Sequence, residues 1–175
     1  MVEVILSLGG NLGDRSLHMQ AMEREIRRLL MPPVVTSGLM ETEPVGVSGN
    51  QPWYYNRLMR GGYNGTPREL LNACLAIELK LGRTRPERYA PRTADIDLLL
   101  FGNEAVMEPD LVIPHPAIQK RMFCVLGLLE IAADWIFPGG NKSIGELADG
   151  WLREVAGQRV RMVKERCGVR KGKSF

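Results

Sequence analysis

The apolar positions change period several times along the chain, and each change marks an element. Residues 2–8, Val-Glu-Val-Ile-Leu-Ser-Leu, are β-branched and aliphatic and predict a strand, closed by the turn signal Gly9-Gly10-Asn11-Leu12-Gly13-Asp14. Leu17, Ala21, Met22, Ile26, Leu29 and Leu30 then form one stripe, predicting a helix over 14–31 that Pro32-Pro33 stops. A second strand is predicted over 34–42, a Pro/Gly-rich loop over 43–53 and a third strand over 55–63. Thr66-Pro67-Arg68-Glu69 is a capping box with proline at the first helical position. Leu70, Cys74, Ile77 and Leu81, with Leu71 beside them, carry that helix to a stop at Gly82. A basic loop over 83–93, a strand over 94–101, the turn Gly102-Asn103 and a long helix over 116–132 complete the series. The order βαββαβ followed by further helical elements predicts an α+β fold of the split-βαβ type, an antiparallel sheet with helices packed on one face.

Composition narrows the class. At 175 residues the chain fits one domain with a core of its own. The uncharged run 122–129 falls far short of the ~20 residues a membrane span needs. The first residues carry an acid where a secretory leader carries positive charge. Cys74, Cys124 and Cys167 form no CxxC pair, which suits a reducing compartment, so a cytoplasmic protein is expected. With only His18 and His115, no zinc constellation can be built. Charge is uneven: residues 159–175 carry seven Lys/Arg against Glu165 alone, leaving the first 158 residues net negative. We therefore expect a single domain over 1–158 and a solvated basic tail over 159–175. A nucleic-acid-binding role for that tail is the rival reading, and it lacks aromatic residues set for stacking on sheet strands.

Three clusters carry candidate chemistry. In Thr93-Ala94-Asp95-Ile96-Asp97-Leu98, a strand places Asp95 and Asp97 on one face about 6.6 Å apart, with Ile96 and Leu98 turned into the core. Two bare carboxylates at that spacing repel by roughly 2–3 kcal/mol at an effective dielectric near 20, so a cation should offset them. Their hard oxygens suit Mg²⁺ shared with substrate phosphates; the bland alternative is a salt bridge to nearby arginines. Arg83, Arg85, Arg88 and Arg92 precede them, and guanidinium forks suit phosphate oxygens. Acids and arginines together suggest a polyphosphate site. The third cluster, Gln51-Pro52-Trp53-Tyr54-Tyr55-Asn56, offers rings to stack on a flat heterocycle and an amide to read its edge, or else simply covers the core. Gly9, Gly10 and Gly13 do not spell GxGxxG, and Gly168 to Ser174 misses the P-loop spacing and leaves no room for its helix.

Taken together, these residues resemble the 6-hydroxymethyl-7,8-dihydropterin pyrophosphokinase family. The matching segments are Leu6 to Asp14, Glu41-Thr42-Glu43-Pro44-Val45-Gly46, Gln51 to Asn56, Ile77-Glu78 with Gly82-Arg83, above all Ala90-Pro91-Arg92-Thr93-Ala94-Asp95-Ile96-Asp97-Leu98-Leu99, and Ile113-Pro114-His115-Pro116 with Arg121 and Phe123. The resemblance implies a ferredoxin-like fold and Mg-dependent transfer of pyrophosphate from ATP to the pterin hydroxymethyl group, leaving AMP, in folate biosynthesis. It implies that Asp95 and Asp97 bind two Mg²⁺ ions, and that Arg83 and Arg92 act on the transferring group. It assigns Arg85, Tyr89, Leu98, His115 and Arg121 to ATP. It assigns Thr42, Pro44, Val45, Tyr54, Asn56 and Phe123 to the pterin, with Tyr54 and Phe123 as stacking faces. Small-molecule substrates, no membrane, no nucleic acid and a monomer are the expected partners and state. The chain departs from the family pattern at Gly10, Met40, Tyr89-Ala90, Gly127, and in the strand that carries Arg57 and Arg60. A two-acid nucleotidyltransferase with another acceptor is the enzyme alternative.

Overall fold

A computed structural model describes residues 1–45, 51–83 and 91–165. Strand β1 (Val2–Gly10) leads into helix α1 (Arg15–Leu29), then β2 (Met31–Thr36), β3 (Met40–Thr42) and β4 (Tyr54–Tyr63). Helix α2 (Pro67–Lys80) precedes β5 (Asp95–Phe101), a hairpin of β6 (Val106–Glu108) and β7 (Leu111–Ile113), and a 3-10 turn at Ile118–Lys120. Helices α3 (Met122–Ala132) and α4 (Ile144–Glu154) and a short strand β8 (Val160–Met162) follow. The main sheet runs β5-β1-β4-β3-β8, with β2 also on β4, and every pairing is antiparallel. Strands from both halves of the chain thus interleave around β1 and β4, as the βαββαβ order requires.

Helices cover both faces of the sheet, not one. Val4, Leu6, Leu8, Met59, Ile96 and Leu98 pack with Met22 and Ile26 of α1 and Leu70 and Cys74 of α2. Ile5, Leu58, Leu99 and Leu100 pack on the opposite side with Val125 and Leu128 of α3 and Ala148 and Trp151 of α4. Strand alternation makes the division: neighbouring residues of a central strand serve opposite cores. The alternation slips once. Ile5 pairs with Leu100 and Leu6 with Leu98, so Leu99 is an extra residue in β5, and Leu99 and Leu100 both join the second core.

Local chemistry explains most boundaries. Thr66 and Glu69 satisfy each other's backbone N–H groups at the start of α2, and Ser143 and Glu146 do the same for α4. The strand expected over 34–42 is two strands, because Ser37 takes over the ladder: its N–H donates to Leu58 O at 2.9 Å, and its Oγ accepts from Leu58 N at 2.9 Å. The helix expected over 116–132 begins only at Met122, since Arg121 is extended (φ −129°, ψ 116°) and breaks it from the preceding 3-10 turn. Arg57 and Arg60 fit the central strand β4 by pairing with acids, although Arg57 is buried. Arg57 bonds Glu23 and Glu165, while Arg60 bonds Glu3 and lies 5.1 Å from the Trp135 ring centre.

The reading of 159 onward as a solvated tail needs correction. Val160, Arg161 and Met162 pair with Thr42, Glu41 and Met40, so the sheet continues beyond 158. Arg159 and Arg161 bond Glu43 and Glu41, each at 2.7 Å, and lie 5.4 and 4.5 Å from the Trp53 ring centre. Residues 166–175 lie outside the described residues.

Candidate active site

The site is built on the α3-facing side of the sheet, where two rows of residues cross the strands. Asp95 of β5, Gly9 of β1 and Asn56 of β4 are cross-strand partners in one row. Tyr54 of β4, Thr42 of β3 and Val160 of β8 make the next. The first row needs glycine at its centre, because a Cβ on Gly9 would sit 2.7 Å from Asn56 Oδ1. Asn56 is buried and donates to Thr42 Oγ1 at 2.7 Å, which fixes the amide's orientation. Phe123, in the first turn of α3, overlooks these rows. Thr42, Val45, Tyr54, Asn56 and Phe123 line one cavity together with Asp95, Arg92 and Arg121.

The two acids border different hollows, Asp95 that cavity and Asp97 a second one. Asp97 lines the second one, with Leu98, Leu111, His115 and Pro116. Arg83 and Arg92 each donate to Asp95 Oδ1 at 2.9 Å. Arg83 is itself held by Glu78, at 2.5 Å. Glu78 sits on the buried stripe of α2 and also accepts from Ile96 N at 2.6 Å. Burial pushes the Glu78 carboxyl up, against the hydrogen bond from Ile96 and the charge of Arg83. The segment before β5 is pinned by Asn11, whose Oδ1 accepts from Arg92 N at 2.9 Å while its own N–H donates to Arg92 O. Gly10 allows this approach: a Cβ there would lie 2.5 Å from Thr93 O.

Asp97 has looser company. Arg121 is 3.8 Å away and His115 Nε2 is 4.0 Å away. Burial, then the charge of Asp95, pushes the Asp97 carboxyl up to about 7. His115 Nδ1 accepts from Ala117 N at 3.1 Å, so the neutral ring carries its proton on Nε2, facing Asp97. Burial and Arg121 hold its pKa down. Two carboxylates on one face, one of them part-buried with no positive group nearer than 3.8 Å among the described residues, fit a divalent cation that completes its shell with substrate oxygens. Among the described residues no cluster of three or more His, Cys, Asp or Glu side chains that could hold a metal ion is present.

The family model for 7,8-dihydro-6-hydroxymethylpterin-pyrophosphokinase matches residues 5–133. The chain belongs to that family. It is 36% identical over 146 residues to 2-amino-4-hydroxy-6-hydroxymethyldihydropteridine pyrophosphokinase of Synechocystis, covering 83% of this chain and 74% of that protein. With the Bacillus subtilis enzyme of the same name it shares 37% over 127 residues, covering 72% and 75%. A wild-type Plasmodium falciparum HPPK-DHPS structure superposes with a TM-score of 0.67 at 14% identity, covering 89% of this chain and 45% of that one. An HPPK-DHPS complex with substrates gives 0.70 at 11% identity, covering 89% and 44%. The chain therefore spans under half of those two solved chains, and they bear on its fold alone. Membership in the pyrophosphokinase family gives the reaction: pyrophosphoryl transfer to 6-hydroxymethyl-7,8-dihydropterin, a step of folate biosynthesis.

Against this family frame, the expected residues sort clearly. Arg83, Arg92 and Asp95 converge, and Asp97 lies beside them with Arg121 and His115. Five of the six residues assigned to the pterin line one cavity, whereas Pro44 is not among its walls. Leu98 borders the second hollow, but its side chain is buried in the first core. Arg85 and Tyr89 lie outside the described residues. Sequence reasoning gave no role to Asn11, to Glu78 as the anchor of Arg83, or to Gln158, Arg159 and Val160 as cavity walls. Only Glu78 left a signal, an acid at an apolar position of the helical stripe.

Proposed function

We propose that the pterin occupies the cavity between Tyr54 and Phe123, that ATP lies along the hollow bordered by Asp97 and His115, and that transfer takes place between them at Asp95 and Asp97. The observation that carries this reading is the division of the acids: residues two apart on one strand border two different hollows. Asn56 and Thr42 present hydrogen-bonding groups to the heterocycle's edge, and the rings of Tyr54 and Phe123 supply its faces. Arg83 and Arg92 are poised to exchange the Asp95 carboxylate for phosphate oxygens, and Arg121 and the Nε2–H of His115 face the same charge from the other side. Two Mg²⁺ ions held by Asp95 and Asp97 would neutralise and align the triphosphate. The pterin hydroxyl oxygen bonds to the β-phosphorus as its bond to the α–β bridging oxygen breaks, which releases AMP and the hydroxyl proton. Such chemistry asks the protein mainly for alignment and charge neutralisation, which fixed arginines and acids provide.

Among the described residues no helix is long and apolar enough to cross a membrane. Buried free thiols at Cys74 and Cys124, with ATP as donor, support a cytoplasmic location. Against the nucleic-acid reading, Arg159 and Arg161 are engaged by Glu43 and Glu41. The deciding experiment incubates the protein with ATP, Mg²⁺ and 6-hydroxymethyl-7,8-dihydropterin and weighs both products. Pterin diphosphate and AMP are expected. ADP, free pyrophosphate or no pterin-dependent turnover would overturn the reading.

A further inference from the structure

The C-terminal segment enters the site from outside the family-matched region, which ends at residue 133. Gln158, Arg159 and Val160 line the same cavity as Tyr54 and Phe123. Two features make this a built wall. First, Val160 is the cross-strand partner of Thr42, which is itself the partner of Tyr54, so β8 extends the cavity's second row by one strand. Second, Gln158 reaches across to the start of α3. Its Oε1 accepts from Met122 N at 3.0 Å, and its Nε2 donates to Lys120 O at 2.7 Å. Helix α3 has no capping side chain of its own, since Arg121 stands at the N-cap without such a bond. Gln158 therefore supplies the cap from the far end of the chain and satisfies one of the helix's free N–H groups. The next residue after the capped Met122 is Phe123.

We propose that residues 158–160 form part of the pterin-binding pocket, with Gln158 a positioning residue that fixes the Phe123 ring and Val160 a contact residue that limits what the pocket admits beside the heterocycle. This rests on the reading of the cavity as the pterin pocket. The strand is held in place by Glu41–Arg161 and Glu43–Arg159, and by the backbone bond from Glu43 N to Arg159 O. These anchors join β3 and the following residues 43–45 to β8. The arrangement makes pterin affinity, more than ATP affinity, depend on residues that follow 157.

The test is calorimetric titration of the full-length chain and its variants with the pterin in the presence of a non-hydrolysable ATP analogue and Mg²⁺, and separately with that analogue and Mg²⁺ alone. Val160→Phe and Gln158→Ala should each raise the pterin Kd at least fivefold while the analogue Kd stays within twofold. Gln158→Glu, which keeps an acceptor for Met122 N–H but loses the donor to Lys120 O, should fall between Gln158→Ala and the parent. If Gln158→Ala unfolds at the assay temperature, Val160→Phe and Gln158→Glu carry the test. Unchanged pterin affinity in folded Val160→Phe and Gln158→Glu, or equal loss of both ligands, would overturn the proposal. An unaltered chain that makes no pterin diphosphate would instead overturn the reading on which it rests.

Discussion

Asp95 and Asp97 share a strand and a face, yet they meet opposite surroundings. Two guanidinium groups donate to Asp95 at 2.9 Å, and one of them is held by a buried glutamate. Asp97 has no cation closer than 3.8 Å among the described residues, and burial pushes its pKa up to about 7. One acid is satisfied before any substrate arrives, while the other costs the empty protein stability. On the proposed reading, a site that gathers polyphosphate and metal keeps charge in reserve, and here that reserve is concentrated at Asp97.

Variants can break or sharpen this contrast. The largest effect is expected from Asp95→Ala and Asp97→Ala. Each should lower kcat at least about a thousandfold with the fold intact, because charge neutralisation is the main service the protein offers. A loss under tenfold at either position, with unaltered circular dichroism, would remove that acid from the site. Next comes the partition between hollows. Phe123→Ala should raise the pterin KM about 10- to 100-fold, since stacking on an aromatic ring is worth about 1–3 kcal/mol. The ATP KM should stay within about twofold. His115→Ala should raise the ATP KM instead, and a pterin effect from His115→Ala would place both substrates in one hollow.

Stability then separates the acids by sign. The folded pKa of Asp97 lies above its ordinary 3.8, so its contribution turns unfavourable as pH rises from about 4 through 7. Without Mg²⁺, Asp97→Asn should therefore melt several degrees above the parent at pH 8 and level with it near pH 4, at about 2–4 °C per kcal/mol. A thermal shift series over that range checks this. Glu41 and Glu43 behave in the opposite sense. The hydrogen bonds from Arg15 and Arg161 outweigh the effect of burial on Glu41, and those from Arg159 act on Glu43, so both carboxyls lie below their ordinary 4.5. Their support of β8 is complete above about pH 4.5 and is lost as pH falls through the depressed values. The smallest expected effect is thus an acid-induced rise in hydrogen exchange at Val160–Met162, with β1 still protected.

Much of this was legible in the sequence for a physical reason. Strand period places Asp95 and Asp97 together, the Thr66–Glu69 box and the apolar stripe fix α2, and the aromatic run ahead of Asn56 marks one wall of the pocket. These signals are local. What stayed hidden depends on partners distant in the chain. Gln158 means nothing until α3 is seen to lack a cap, Asn11 until Arg92 lies against it, and Arg159 and Arg161 until Glu43 and Glu41 face them. A run of basic residues at the end of a chain looks like solvated charge, because periodicity carries no record of the strand waiting beside it. The split of the last predicted helix escaped for the same reason: the break at Arg121 is flanked by bonds from Gln158 to Met122 N and Lys120 O, which local periodicity does not record.

The extra residue at Leu99 carries a consequence for how this architecture tolerates change. It resets the in–out rhythm of β5 midway, so the strand's first half and last half answer to separate requirements. Excising Leu99 would force a choice between keeping Phe101 under its helices and keeping the acids aimed at the substrates. One inserted amino acid thus lets the scaffold and the chemistry drift apart in sequence without either dragging the other out of phase.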